Sequence, residues 1–267
     1  MISPNAKIGK TKFFILVIDF FDDNESQQFQ RSIAQNDRFA VEIERAYHAG
    51  TFSALIENLA LLFSGFLTKC LSAFPDAVPI IHILGHGSHH GIEIGCTDRS
   101  ILPWYLLCPM FSIVNQNLQS NLIVCLLSCE GWAAIRMSLG VKHATHRVLV
   151  APTGTLRFQE LSEAYFVFYS YLQHAESENT VEATILKAAD YSINSNIDSE
   201  PLLCASSFGA KWSAREIRRL LRLQNIRTVK ELVSFIVKER ILNRTSQERA
   251  MKAFEQMLKE LTHKRKG

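Results

Sequence analysis

Hydrophobic and polar residues follow two patterns that alternate along this chain. Short apolar runs without interruption are followed by longer segments in which apolar residues recur every three or four positions. Continuous runs are typical of strands buried on both faces of a parallel sheet, and the longer spacing is typical of helices that bury one side. The continuous runs predict four strands, at residues 13–18, 78–84, 122–127 and 147–151.

The segments between these strands predict helices that connect them. Apolar residues recur at helical spacing in 52–67, 103–114, 132–139, 160–172 and 181–189. Residues 22–37 are polar and predict a connection, and residues 91–95 predict one arm of a short hairpin. Strands that alternate with helices indicate a three-layer α/β domain with a mainly parallel sheet and right-handed crossovers.

The charge of the chain changes near residue 210. Residues 1–210 contain 13 Lys and Arg against 20 Asp and Glu, whereas residues 211–267 contain 16 against 6. The basic part also has three capping boxes, which predict three helices: Ser213 with Glu216, Thr228 with Glu231, and Thr245 with Glu248. We therefore divide the chain into an α/β domain, 1–210, and a basic helical C-terminal extension, 211–267.

Length and composition exclude several classes of protein. A chain of 267 residues with 47% apolar composition can bury a full core and is not disordered. Its six cysteines show no pairing repeat, which favours reduced thiols and a cytoplasmic location. The longest apolar segment, 52–74, is interrupted by Glu57 and Lys69 and predicts a core helix, so we expect no membrane span.

A histidine and a cysteine follow two of the predicted strands. His86 stands between Gly85 and Gly87, and Cys129 is followed by Glu130 and Gly131. The carboxyl ends of parallel strands meet at the edge where open α/β sheets bind ligands. A thiol needs a nearby base to act as a nucleophile, so this pair predicts cysteine-based hydrolysis.

The backbone around the pair predicts further contributions to catalysis. The N–H groups of Gly87 and Cys129 are the natural pair of donors to an oxyanion. A helix that begins at Glu130 or Gly131 would favour the thiolate through its partial positive charge. The alternative interpretation is structural: both side chains could be buried, as we expect for His82 and Cys125 within the strands.

Other kinds of site fit the sequence less well. Four histidines lie within residues 82–90, with Cys96 nearby, but no second pair at zinc-ligand spacing follows. Ser128 lacks the G-x-S-x-G pattern of a serine hydrolase, and no phosphate-binding loop is present in the sequence. We expect neither a metal ion nor a cofactor.

The pattern around the two strand ends resembles that of caspase-like cysteine peptidases. This group includes caspases, metacaspases, separase, gingipain and legumain, and the chain is most similar to bacterial members of the CHAT and small caspase-like type. The matching features cover roughly residues 12–195. They are His86-Gly87 after one strand, Ser128-Cys129-Glu130-Gly131 after the next, a spacing of 43 residues between His86 and Cys129, and the segment 148–154 leading into 166–169.

The resemblance implies a caspase-like fold and cleavage of a peptide bond in a protein substrate. It implies that Cys129 is the nucleophile, that His86 protonates the leaving amine, and that the Gly87 and Cys129 N–H groups bind the oxyanion. Many relatives carry an acidic or amide residue two positions before the cysteine, where this chain has Leu127. Bacterial relatives suggest a role in antiviral defence or cell-death signalling.

Two aspartates after the first strand are candidates for substrate recognition. Relatives often have a specificity residue there, so Asp19 and Asp22 are expected to bind a basic substrate side chain. The alternative interpretation is that they are solvated loop carboxylates.

Two other functions stay open at this point. The domain could be a noncatalytic caspase-like interaction module. The extension, whose segment 212–232 looks somewhat like a helix-turn-helix, could bind nucleic acid through its positive charge or instead contact the acidic domain. The sequence contains no recognisable sensor domain, so activation could depend on a protein partner.

Overall fold

The computed structural model describes residues 13–21, 24–46, 50–138, 144–152, 154–174, 181–192 and 203–207. The basic extension, 211–267, lies outside the described residues. Its three predicted helices, its nucleic-acid binding and the division of the chain at residue 210 therefore stay predictions.

Six strands form one sheet, and five of them are parallel. Their order is β2-β1-β3-β7-β8-β9, with β9 antiparallel to β8 at one edge. Three short strands, β4, β5 and β6, form a separate antiparallel sheet. The strands are β1 (Phe13–Asp19), β2 (Phe39–Arg45), β3 (Val78–Leu84), β4 (Gly87–Ser88), β5 (Gly91–Glu93), β6 (Ile101–Pro103), β7 (Ile123–Leu127), β8 (Val148–Pro152) and β9 (Leu203–Ser207).

Helices cover both faces of the six-stranded sheet. The α-helices are α1 (Asn24–Ala34), α2 (Phe52–Ser72), α3 (Trp104–Asn117), α4 (Phe158–His174) and α5 (Val181–Asp190). Helices α2 and α3 pack on one face, and α1, α4 and α5 pack on the other. Successive strand residues divide between these two cores, as Phe13 and Phe14 of β1 do, because side chains along a strand point alternately to opposite faces. The α/β class with a mainly parallel sheet is confirmed.

The four strands predicted from continuous apolar runs are present, but β2, α1, β9 and the short strands β4 and β6 were missed. Strand β2 alternates apolar and charged residues and becomes exposed toward Arg45, since among the described strands it pairs with β1 alone at one edge of the sheet. Helix α1 buries only two large apolar side chains, Phe29 and Ile33, one turn apart. Strand β9 is short and completes the other edge.

Helix α2 is long and apolar enough to cross a membrane by length and composition. It buries a stripe of side chains against the sheet: Leu55, Leu59, Ala60, Phe63, Phe66 and Cys70. Such a stripe is typical of a core helix in a soluble protein.

Candidate active site

The two strands that precede His86 and Cys129 are neighbours in the sheet. Strands β3 and β7 are parallel, and their last residues, Leu84 and Leu127, are paired in register. One further hydrogen bond, from Gly85 N–H to Leu127 O at 3.2 Å, continues the ladder past the ends. His86 and Cys129 each follow two residues after this pair, so both backbones leave the sheet at the same carboxyl edge.

Gly87 presses directly against the turn that contains Cys129. A methyl group added at Gly87 would lie 2.7 Å from Cys129 O and 2.8 Å from Ser128 Oγ. These distances are shorter than real Cβ contacts, so only glycine fits without movement. The absence of a side chain at Gly87 therefore lets the loop after β3 lie against the loop after β7.

Aromatic rings hold the His86 side chain at the surface. His86 is exposed, and its imidazole and the Phe21 ring meet edge to face at a centroid distance of 4.8 Å. Phe21 meets Phe158, at the start of α4, at 5.1 Å in the same edge-to-face manner. The imidazole thus keeps its access to solvent while one side is packed.

Cys129 is half-buried, and its thiol has a defined partner. Its Sγ donates a hydrogen bond to Leu156 O at 3.3 Å, in the loop between β8 and α4. Within the described residues this thiol makes no hydrogen bond to His86. A thiolate has no proton to donate to a carbonyl, so Sγ must leave Leu156 O before it can act as a nucleophile.

Two backbone N–H groups at this edge remain outside the secondary-structure hydrogen bonds. In the antiparallel pair of β4 and β5, His86 O accepts from Glu93 N–H at 2.8 Å, which makes Gly87 and Ile92 a non-hydrogen-bonded pair. Gly87 N–H therefore points away from β5. Cys129 N–H has no backbone acceptor among the described residues. Gly87 lies against the turn that contains Cys129, and the role of the two N–H groups as an oxyanion site stays a prediction.

The segment after Cys129 differs from the predicted helix at 132–139. It is a 3-10 helix, Gly131–Ser138, that starts with a tight bond from Gly131 N–H to Ser128 O at 3.0 Å. Glu130 N–H donates to Gly154 O at 3.0 Å. The first two N–H groups of this segment therefore have backbone acceptors, and the effect of the helix start on the thiolate stays a prediction.

Glu130 is a site residue that the sequence interpretation missed. Its φ of +51° lies in the left-handed region, which is uncommon for residues other than glycine and concentrates at functional sites. Its carboxylate accepts from His89 N–H at 2.8 Å and lies 3.3 Å from His89 Nδ1. Glu130 thus joins the turn after β7 to the loop after β3. Nothing in the local sequence distinguishes it from a solvated glutamate.

Tyr165, on α4, is a second residue that was missed. Its buried hydroxyl accepts from Leu126 N–H at 3.0 Å and contacts Val150 O at 2.7 Å and Leu126 O at 3.1 Å. The register of β7 and β8 ends at Cys125 and Val150, immediately before this hydroxyl. The Tyr165 hydroxyl therefore replaces the next backbone hydrogen bonds between β7 and β8. The two strands can separate after Cys125 and Val150, ahead of the turn that contains Cys129.

Asp19 has an internal role in the structure. Its side chain is 1% exposed, and its carboxylate accepts from Phe21 N–H at 2.9 Å and Ser26 Oγ at 2.9 Å and from Gln30 Nε2 at 2.5 Å. These bonds attach the start of α1 to the end of β1. The Asp19 carboxylate is therefore buried and hydrogen-bonded, which differs from the alternative interpretation of a solvated loop carboxylate. Its role in substrate binding stays a prediction. Asp22 lies outside the described residues.

The remaining histidines and cysteines separate into core and surface groups. His82 is fully buried with Nδ1 2.8 Å from Tyr169 Oη, and burial lowers its pKa to about 3, so it is neutral. Burial raises the pKa of both Cys70 and Cys108 to about 12 and raises that of Cys125 further. These thiols are small core residues, in contrast to half-buried Cys129.

No group of three His, Cys, Asp or Glu side chains in the described ranges is arranged to hold a metal ion. Comparison of the chain with models of known protein families and with curated proteins gave no match.

Proposed function

We propose that this protein is a cysteine endopeptidase of the caspase-like type that cleaves protein or peptide substrates. The observation that carries the proposal is the close contact of Gly87 with the turn at Cys129, which brings His86 and Cys129 to one solvent-accessible edge. Edges of this kind are where parallel α/β sheets bind substrates. The half-buried thiol and the exposed imidazole are the two groups needed for nucleophilic attack and proton transfer.

In the proposed reaction the substrate enters between the two loops and Sγ leaves Leu156 O. The thiol proton passes to His86, and Sγ attacks the scissile carbonyl carbon to form a C–S bond. The oxyanion accepts hydrogen bonds from the N–H groups of Gly87 and Cys129. His86 then protonates the leaving amine as the C–N bond breaks. Water, deprotonated by His86, hydrolyses the thioester, which releases a carboxylic acid and returns the proton to the thiol.

The cellular setting in this proposal is the cytoplasm. Five cysteines in the described residues are free, and three of them are buried in the core, as is usual for a reduced compartment. The resemblance to bacterial caspase-like proteins suggests a role in antiviral or cell-death signalling, with an activating protein partner.

One observation favours a second candidate, a noncatalytic caspase-like interaction module. The Cys129 thiol hydrogen-bonds to a carbonyl rather than to His86, an arrangement that also suits a cysteine without a catalytic role. In an interaction module, partner capture would survive both Cys129→Ala and His86→Ala.

The test compares peptide hydrolysis and covalent labelling in single variants. Purified full-length protein is incubated with a fluorogenic peptide library and, separately, with a peptide carrying an electrophilic group. Cys129→Ala is expected to abolish both hydrolysis and labelling, and His86→Ala is expected to lower hydrolysis by about 10²-fold or more. Cys96→Ala is the matched control, because Cys96 is also partly exposed but lies away from the strand ends.

Hydrolysis that continues in Cys129→Ala would overturn the assignment of the nucleophile. A wild-type chain that neither cleaves the library nor reacts with the electrophile, but captures a partner in both variants, would favour the interaction module.

A further inference from the structure

A pocket lies between α1 and α4 on the helical layer next to the candidate active site. It has a volume of about 390 Å³, which is within the range of small-ligand sites. Its lining combines aromatic rings with amides, hydroxyls and one carboxylate: Gln28, Phe29, Ser32, Phe158, Gln159, Ser162, Glu163 and Phe166. Glu163 is the only ionisable side chain among these lining residues.

Phe158 links the pocket to the candidate catalytic histidine. Its ring forms part of the pocket wall and meets Phe21 edge to face, and Phe21 in turn meets His86. Two ring contacts therefore separate the pocket from the imidazole, a distance that about three residues of extended peptide can span. A peptide bound at the strand ends can place one of its side chains in this pocket.

Several polar side chains of the pocket donate hydrogen bonds within their own helices. Ser32 Oγ donates to Phe29 O at 2.6 Å, and Ser162 Oγ donates to Gln159 O at 2.9 Å. Gln159 Nε2 donates to Glu163 Oε1 at 3.0 Å. Each hydroxyl has a single hydrogen, so both can offer only lone pairs to a ligand. The hydroxyl and carboxylate oxygens of the pocket therefore face a ligand as acceptors, beside the amide groups of Gln28 and Gln159.

The aromatic walls add a preference for a cation. Phe166 is 58% exposed although it is a large apolar side chain, and half-buried Phe158 stands on the same helix. The faces of such rings attract guanidinium and ammonium groups. An anionic side chain would meet the Glu163 carboxylate, and an apolar one would bury acceptors without giving them partners.

We propose that this pocket binds an arginine side chain of the peptide substrate, about three residues from the bond that is cleaved. A guanidinium supplies five N–H donors in a plane and no acceptor, which complements the oxygen atoms and ring faces described above. The inference rests on the proposed peptidase function, because it places the pocket along the path of a bound peptide. It assigns recognition of a basic residue to α1 and α4 rather than to the aspartates after β1.

The test measures peptide binding without turnover, in the full-length Cys129→Ala variant. Fluorescein-labelled peptides of alanine and glycine carry one arginine at successive positions, or citrulline, which keeps the shape of arginine without its charge. Fluorescence anisotropy at low ionic strength is expected to show binding about three- to tenfold tighter for the best arginine peptide than for its citrulline counterpart.

Variants in the pocket then identify the residues responsible. Adding Glu163→Gln is expected to reduce the preference for arginine over citrulline about threefold, and adding Phe166→Ala is expected to weaken arginine binding about threefold. The matched control is Glu57→Gln, an exposed glutamate on α2 in the opposite layer, which is expected to leave the preference intact.

Equal binding of arginine and citrulline peptides would overturn the inference, and so would a preference for arginine that Glu163→Gln leaves undiminished. Failure of the peptidase proposal gives a different result. In that case the wild-type chain cleaves nothing, while the arginine preference and its dependence on Glu163 persist in Cys129→Ala. Cleavage that needs Cys129 but shows no arginine preference would uphold the peptidase and reject the pocket.

Discussion

Replacing Gly87 with alanine tests whether contact between the two strand-end loops is needed for activity. The new methyl group would lie 2.7 Å from Cys129 O, whereas ordinary van der Waals contact begins at 3.4 Å. The obstructing atom belongs to the backbone, which cannot rotate away as the end of a flexible side chain can. One loop must therefore move by about 0.7 Å relative to the other.

This substitution is expected to lower both the stability of the fold and the rate of hydrolysis. Overpacking against a fixed backbone costs about 1–3 kcal/mol in the free energy of unfolding, which lowers Tm by about 4–8 °C for a value near 2 kcal/mol. Misplacement of reacting groups by about 1 Å costs roughly 10²-fold in rate. We therefore expect kcat/KM for peptide hydrolysis to fall by about 10²-fold at a temperature where the variant is still folded.

The assay combines thermal unfolding with peptide hydrolysis on the same samples. Gly65→Ala is the matched control, because Gly65 lies within α2 and a methyl group there meets no atom within 4 Å. Alanine in a helix interior is about 0.5–1 kcal/mol more stable than glycine, so this control should raise Tm by a few degrees and leave kcat/KM unchanged.

A Gly87→Ala variant with wild-type Tm and wild-type kcat/KM would refute the reasoning, since the two loops would then not be in contact as described. A lower Tm with unchanged kcat/KM would retain the contact but remove its link to catalysis.

Three further predictions concern residues around the site. Tyr165→Phe removes a buried hydroxyl that serves backbone groups of β7 and β8, and we expect a loss of about 1–3 kcal/mol in denaturant unfolding; Tyr191→Phe, at a residue 60% exposed, should change stability by less than about 0.5 kcal/mol. His82 has a folded-state pKa of about 3, below the unfolded value of 6.5. The contribution of this buried neutral histidine to the stability of the fold is therefore complete above pH 6.5 and is lost as the pH falls toward 3. In that window His82 should contribute a decrease of up to about 1.4 kcal/mol per pH unit to the free energy of unfolding, beside a similar contribution from buried His146, whose pKa is also lowered to about 3. A His82→Gln variant whose titration keeps the wild-type slope would contradict this assignment. Glu130→Ala removes the acceptor that joins the two loops, so we expect kcat/KM to fall about tenfold while Glu93→Ala, at an exposed residue of β5, has no effect; equal activity of the two variants would show that the Glu130 contact is dispensable.

Much of the sheet could be predicted because its central strands are buried on both faces. Strand β3 was predicted with the bounds that the structure has, since every one of its residues is buried and the run is apolar apart from His82. Strand β2 and helix α1 could not be predicted in the same way. Helix α1 has too few apolar positions to show a helical period, and β2 alternates apolar and charged residues where the central strands have a continuous apolar run.

The sequence by itself determined the α/β class and the fact that His86 and Cys129 each follow a strand. Both follow from local patterns, because burial on two faces requires uninterrupted apolar runs and glycines mark where such runs end. That β3 and β7 are neighbours, and that the loops after them touch through Gly87, was decided only by the tertiary structure.

The tertiary structure alone also decided the contributions of site residues that belong to no sequence motif. The carboxylate of Glu130, the carbonyl of Leu156 and the hydroxyl of Tyr165 all act on segments distant from them in sequence. Their roles depend on which loops and helices come together. Such contacts leave no period in the sequence, since a single polar residue at a loop or helix position has the same local pattern whether it faces solvent or a partner from another element.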